Sequence, residues 1–262
     1  MIENSVSFIM AVFNQQNLIG HVMKSIFDNM SENVKEIFII IDGCVDNSEK
    51  IIINFADASP IPLHILHADN VGEILSCNMA FRLSTCQYSL TSQDDMVITE
   101  KDFDKRMMKP FHVVPNLFAV SSRNAQNENI AEDGISLRYS DLAGMDVDMP
   151  RDMFAVRDGI IRGQILWDNE KLKTLNYLDE EFAPQSEDDK EISLRAYINH
   201  GWLVGAYRSN YISEPSWGAT RKYMQSYIRW EKSCKKNQKL IVERYYDYLS
   251  KEEKHNQDIV IE

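Results

Sequence analysis

Two adjacent carboxylates, Asp94-Asp95, follow a short strand-like segment, Tyr88–Thr91, and Gln93 stands directly before them. Neighbouring carboxylates repel each other, and burial at a strand end adds a desolvation cost. A hard divalent cation offsets that cost, so the pair is a candidate metal site. The competing reading is a pair of turn residues ahead of the next helix. A second acidic run, Glu187-Asp188-Asp189, opens a segment with helical spacing. Negative charge is favoured at a helix N-terminus, and an acidic first turn also aims a carboxylate into a cleft. Asp42 ends another apolar run, just before Gly43. The six histidines are scattered without metal-ligand spacing. No Gly-x-Gly-x-x-Gly or phosphate-loop pattern is present, which argues against a dinucleotide enzyme or an NTPase.

These residues need a scaffold, and the first hundred residues suggest one. Val6–Val12 is nearly continuous apolar sequence, as in a strand covered on both faces. Leu18, Val22 and Ile26 then recur every fourth residue, with Ile19, Met23, Phe27 and Met30 beside them, a helix period. Glu36–Ile41 is a second strand, and Asp46-Asn47-Ser48 offers N-cap residues for a second helix. Leu63–Leu66 is a third strand, Ile74–Leu83 a third helix and Tyr88–Thr91 a fourth strand. Such alternation predicts an α/β fold with a mostly parallel, Rossmann-like sheet flanked by helices. Ligands bind beyond the carboxyl ends of such strands. Asn14, Asp42 and Asp94-Asp95 stand at three of those ends and are expected to converge on one crevice.

The second half is less regular. A helix is expected over Lys101–Phe111, with Pro110 disfavouring its last turn. Phe118–Ser121 and Leu203–Tyr207 read as strands, and Asp168–Leu175 and Asp189–His200 as short helices. Glu128–Pro150 is polar and acidic without a clear period, so a loop or lid is expected there. Arg221–Leu249 reads as a helix with Tyr223, Tyr227, Trp230 and Cys234 along one side.

The chain has 262 residues and 44% apolar content, enough for a full core. Its formal net charge of -12 repels nucleic acid, so a general DNA or RNA binder is excluded. No run of about 18 apolar residues predicts a membrane span. The apolar run Phe8 to Phe13 lacks the flanks of a signal peptide and reads as a strand. Cys44, Cys77, Cys86 and Cys234 form no Cys-x-x-Cys pair and suit reduced thiols in a cytoplasmic protein, with peripheral membrane attachment the other option.

Five segments, in order, resemble family 2 glycosyltransferases of the GT-A fold. Val6–Asn14 is similar to the family's opening strand and turn, with Ala11 where Pro is usual. Ile39–Ser48 is similar to its Asp-Gly-Ser-x-Asp-x-Ser turn, and Asn70–Asn78 to its Asn-x-Gly…Asn segment. Gln93-Asp94-Asp95 occupies the metal-binding Asp-x-Asp position, with Gln replacing the first Asp. Leu178–Arg195 is similar to the later acidic motif that closes with Arg. The resemblance implies transfer of a sugar from a nucleotide-diphosphate donor, most simply a UDP-sugar, to a hydroxyl acceptor, with inversion and with Mn²⁺ or Mg²⁺, in glycan or polysaccharide synthesis.

The same resemblance implies roles. Ala11, Phe13, Asn14, Asp42, Gly72, Asn78 and Asp94 would bind the donor, with Phe13 against the base and Asp42 accepting its ring N–H. Asp95 would be the principal metal ligand, assisted by Asp94. Counting back from Arg195, the catalytic pair falls on Asp188-Asp189, with Asp189 the base, Asp188 orienting, and Glu187 the base if the register slips by one. Arg162 and Trp167 fall where acceptor contacts are frequent, and Trp217 and Arg221 where a segment closes over the diphosphate. The implied division is a GT-A domain over 1–215, with a nucleotide-sugar half at 1–100 and an acceptor and catalytic half at 101–215, followed by a C-terminal helical segment at 216–262.

Two other functions remain open at this point. A nucleotidyltransferase acting on sugar phosphates shares such a sheet, but usually carries a Gly-rich basic loop after the first strand, and Phe13–Asn17 has neither Gly nor Lys. A non-catalytic nucleotide- or carbohydrate-binding module is favoured by Gln93. The implied partners are the nucleotide-sugar and a carbohydrate or lipid-linked acceptor. The C-terminal helix could pack on the core, on a partner subunit or on a membrane, and its mixed charge argues against the last.

Overall fold

The structure is a computed structural model that describes residues 3–218, 222 and 224–261. The fourteen strands, seven α-helices and two 3-10 helices among those residues form a mixed α/β fold. A nine-stranded sheet is its centre, in the order β14-β9-β12-β6-β11-β4-β1-β2-β3. Strands β1 (Val6–Val12), β2 (Val34–Asp42), β3 (Leu63–Ala68) and β4 (Tyr88–Gln93) are parallel neighbours. Their connections are α1 (Ile19–Asn29), α2 (Ser48–Asp57) and α3 (Glu73–Leu83). Val6, Phe8, Ile9, Met10 and Val12 are all fully buried, because helices cover both faces of β1. Their alternation divides the core. Phe8, Met10 and Val12 pack with Val22 and Ile26 of α1, while Ile9 packs with Ile74 and Phe81 of α3.

Beyond β4 the sheet is mixed, with strands of both directions. After β5 (Val97–Ile98), α4 (Phe103–Val113) leads into β6 (Leu117–Ser121). The short β11 (Ile165–Asp168) runs antiparallel between β4 and β6. α4 runs through Pro110, which is buried against the core, so the expected weakening of the last turn does not end the helix before Val113.

The segment 128–150, expected to be a loop or lid, contains ordered pairing instead. β7 (Asn124–Ile130) and β8 (Leu137–Gly144) form an antiparallel hairpin, and β10 (Gly159–Ile161) completes this smaller sheet. The polar side chains of β7 hide the strand from a hydrophobicity reading. Asn124, Gln126, Asn127 and Glu128 are buried and held by partners such as Asp146 and Asp141.

α5 (Asn169–Thr174) and α6 (Asp188–His200) lie near their expected positions, and β12 (Leu203–Ala206) joins β6 in parallel. The C-terminal segment is helical over α7 (Met224–Leu249) and ends as a strand. β14 (Gln257–Val260) adds antiparallel to β9 (Met153–Arg157), so the last residues complete an edge of the main sheet. β13 (Tyr211–Ile212) pairs with β5 in a two-stranded ribbon. Among the described residues, no helix is long and apolar enough to cross a membrane.

Candidate active site

A cavity of about 520 Å³ opens at the carboxyl ends of β1, β2 and β4. Ala11 and Phe13 reach it from the end of β1, Asp42 from the end of β2, and Gln93, Asp94 and Asp95 from the end of β4. Gly72 and Glu73 line it from the start of α3, and Asp188 and Asp189 from the start of α6. Carboxylates from stretches of chain far apart in sequence therefore share one space.

Asp42 is fixed by the turn ahead of α3. Its two oxygens accept the N–H groups of Val71 and Gly72, each at 2.8 Å. Gly72 has φ +94°, and a Cβ there would stand 2.3 Å from the Pro184 carbonyl oxygen. Only glycine lets the 184 loop close against this turn. Asp94 is fixed by the loop after β1. Its Oδ2 accepts the Phe13 N–H at 2.9 Å, and its Oδ1 accepts from Gln15 Nε2 at 3.4 Å. Burial pushes the Asp94 carboxyl up to about 7, and the neighbouring Asp95 charge adds to the effect against the Phe13 hydrogen bond. Among the described residues, no salt bridge meets the Asp94 carboxylate.

On the opposite wall, Asp189 accepts the Arg162 N–H at 2.8 Å and the Lys190 N–H at 3.0 Å. The Arg162 guanidinium bridges Asp188 of α6 and Glu73 of α3. Glu187, the competing base, has one oxygen on Lys190 Nζ at 2.5 Å and the other on Gln238 Nε2 at 3.1 Å. Arg195, which anchors the sequence count, points away from the cavity. It pairs with Glu191 at 3.0 Å and donates to the carbonyls of Leu175 and Tyr177.

Several residues expected at the site are not on its wall. Asn78 is fully buried and clamps the chain before α6, donating to the Leu178 carbonyl at 2.9 Å and accepting the Leu178 N–H at 3.1 Å. Asn14 shapes a turn, with φ +52° and its Oδ1 accepting the Val45 N–H at 2.9 Å. Trp167 is 1% exposed, packs against Phe81 and Phe118, and donates its indole N–H to Thr91 Oγ1. A stacking role for it on a sugar is therefore corrected to a core role. Trp217 contributes its carbonyl, which accepts from Gln15 Nε2 at 2.8 Å, while the adjacent Gly218 lines the cavity. Arg162 is tied to carboxylates within the wall. Arg221 lies outside the described residues.

A model of glycosyl transferase family 2 matches residues 7–170, well over half of the chain. The chain belongs to glycosyltransferase family 2. No curated protein sequence matches it at a significant level. Solved structures share the fold at low identity. A mannosyltransferase from Pyrobaculum calidifontis, solved with GDP-Man and Mn²⁺, aligns with a TM-score of 0.59 and 12% identity over 93% of this chain and 70% of that one. Glucosyl-3-phosphoglycerate synthase from Mycobacterium tuberculosis, solved with Mg²⁺ and UDP, gives 0.55 and 12% over 88% and 79%. S. aureus TarS gives 0.54 and 15% over 81% of this chain, which spans only 37% of TarS.

The family 2 fold sets the question of a metal. Among the described residues, no group of three or more His, Cys, Asp or Glu side chains forms a metal cage. Facing the cavity are the carboxylates of Asp94 and Asp95 and the amide of Gln93. These are hard oxygen donors, and they would leave much of a six-ligand shell to phosphate oxygens and water, as Mg²⁺ tolerates. The elevated Asp94 also calls for positive charge. The donor set fits a cation that is held jointly with a diphosphate.

Sequence reasoning missed other wall residues. Glu73, Arg123, Lys190 and the 184–186 loop carry no local motif. Tyr227, Trp230 and Cys234 were legible as a helical stripe but not as cavity lining, which the fold of α7 supplies. Among the described residues, seven carboxylates and four cationic side chains line the cavity, so that lining is net acidic.

Proposed function

We propose that this family 2 protein transfers a sugar from a UDP-sugar to a hydroxyl acceptor with inversion, assisted by Mn²⁺ or Mg²⁺. The observation that carries the reading is the meeting of Asp42, Asp94-Asp95 and Asp189 in one cavity at the carboxyl edge of the sheet. Phe13 and Asp42 bind the base. Asp42 retains lone pairs for a ring N–H beyond the two main-chain donors it already accepts. Asp95, with Asp94, would hold the cation, which would supply positive charge for the diphosphate among the acidic side chains of the lining.

Asp189 is the base. The acceptor oxygen forms a bond to the anomeric carbon as the bond from that carbon to the diphosphate oxygen breaks. The hydroxyl proton passes to the Asp189 carboxylate, and the bonding pair departs on the nucleoside diphosphate. The two main-chain N–H groups on Asp189 fix its direction while leaving lone pairs for the proton. Asp188, held by Arg162, orients the start of α6.

The test is a panel of nucleotide sugars scored by released nucleoside diphosphate, with and without Mn²⁺. Turnover of one UDP-sugar that depends on the ion is expected. Absence of turnover together with absence of a thermal shift from any nucleoside diphosphate overturns the reading. Pyrophosphate release from a nucleoside triphosphate and a sugar phosphate would replace it with nucleotidyl transfer.

A further inference from the structure

The first half of α7 touches the body along one side, where Arg229 donates to Asn70, and is otherwise exposed. Residues 224, 225 and 227–232 are exposed and Ser226 is half-buried, whereas Ser233, Asn237, Ile241, Val242 and Leu249 are buried. A helix exposed on most sides is normally polar. This one carries Met224 at 73% exposure and Ile228 at 43%, with Tyr227 and Trp230 also exposed. An apolar cluster of this kind marks a surface that something covers.

Charge identifies the occupant. Residues 222–239 hold six cationic side chains (Lys222, Arg229, Lys232, Lys235, Lys236 and Lys239) and one carboxylate, Glu231, in a chain of net charge -12. Helical spacing sorts them. Ser226, Tyr227, Trp230 and Cys234 line the cavity. Met224, Ile228, Lys232, Lys235 and Lys239 follow one another on the other side of the helix. The mixed charge of the whole segment thus separates into a basic exposed half and a docked half that carries Glu243 and Asp247. The ion pairs Lys235–Glu231 and Lys239–Glu243 are exposed and hold their lysines weakly.

We propose that the outer face of α7 docks on an anionic phospholipid surface. Met224 and Ile228 enter the interface, and Lys232, Lys235 and Lys239 meet the headgroups. The net charge of -12 favours approach through a basic face such as this one. The cavity is lined by the side of the same helix that faces away from the proposed interface. The docking itself stands apart from the sugar-transfer reading and is tested without turnover.

The experiment is co-sedimentation of the full chain with vesicles of phosphatidylcholine alone, or of phosphatidylcholine with one-third phosphatidylglycerol. Binding to the anionic vesicles about tenfold or more above the neutral ones is expected, and its loss at high salt. Lys232→Glu with Lys235→Glu should lower that binding about tenfold or more. Met224→Ser with Ile228→Ser should lower it several-fold. Both variants should keep the wild-type melting temperature. Equal binding to both vesicles, binding to neither, or binding indifferent to the charge reversal overturns the proposal. So does light scattering that finds a dimer dissociated by the charge reversal without any lipid binding, which assigns the face to a second copy of the chain. The wild-type salt dependence decides the matter even if a variant fails to fold.

Discussion

Arg162 holds Asp189 through its backbone while its side chain holds Asp188. The main-chain N–H donates to Asp189 Oδ2 at 2.8 Å, and the guanidinium spans from Asp188 to Glu73 on α3. One residue thus links the start of α3 to the start of α6. On the proposed reading, Asp189→Asn removes the proton acceptor but keeps the shape. The rate of sugar transfer should fall by about 10²–10⁴. One main-chain hydrogen bond is weakened, at about 1 kcal/mol. The stabilisation by UDP and Mn²⁺ should persist. A variant that transfers sugar at the wild-type rate moves the base elsewhere.

The Arg162 bridge also predicts stability. Arg162→Met leaves Glu73 and Asp188 facing each other without their shared cation. Removing one partner of a buried ionic group costs roughly 3–5 kcal/mol. Urea unfolding at neutral pH should register a loss of that order.

Asp94 predicts how metal binding depends on pH. Burial raises its carboxyl to about 7, so below that value the site holds a proton that a cation must displace. Mn²⁺ affinity, measured by calorimetry with UDP present, should rise as pH increases from 5.5 toward about 7 and then level off. Proton release on binding should be detectable in buffers of different ionisation enthalpy near pH 6.5. Asp94→Asn should remove the pH dependence along with much of the affinity. An affinity that stays flat from pH 5.5 to 8 would remove Asp94 from the metal's surroundings.

Gly72→Ala tests how the walls meet. The new Cβ would fall 2.3 Å from the Pro184 carbonyl oxygen at a φ of +94°. Strain at such a position is of order 1–3 kcal/mol before the clash is counted. The 184 loop or the turn under Asp42 must move. A drop in stability of about 2–4 kcal/mol is expected, together with weaker UDP binding.

Much of this arrangement was legible before any coordinates, for physical reasons that differ between residues. β1 and β2 are covered on both faces, so their runs of Val, Ile and Phe announce them, and the first polar residue after each run marks a strand tip. That is how Asn14 and Asp42 came into view, while Asp94-Asp95 stood out as adjacent carboxylates after the strand-like Tyr88–Thr91. β7 escaped because most of its buried side chains are Asn, Gln and Glu, held by hydrogen bonds to groups such as Asp146 and Asp141 rather than by apolar packing. The Glu73–Arg162–Asp188 bridge joins three segments that only the folded topology brings together, and no spacing rule reports it. Asn78 and Trp167 show the converse. Their types suit a ligand site, yet their orientation places one as a clamp on Leu178 and the other in the core.

Glu128 of β7 gives the last prediction. It is fully buried, and Gln126 Nε2 donates to its Oε1 at 3.0 Å, while its Oε2 accepts no hydrogen bond among the described residues. Burial pushes its carboxyl up to about 8, against the pull of the Lys190 charge, with Glu187 and Asp189 adding to the rise. The folded state therefore keeps a proton that the unfolded chain gives up above about pH 4.3. Stability conferred by that proton is full below the unfolded value and is lost as pH rises toward about 8, beyond which the effect is constant. Glu128→Gln keeps the size and never ionises. Its stability relative to wild type should climb between about pH 5 and pH 8, reaching an advantage of roughly 1–3 kcal/mol, and should be small at pH 4.5. Chemical denaturation of both proteins across that range is the measurement. A difference independent of pH would mean that Glu128 does not titrate between the two states.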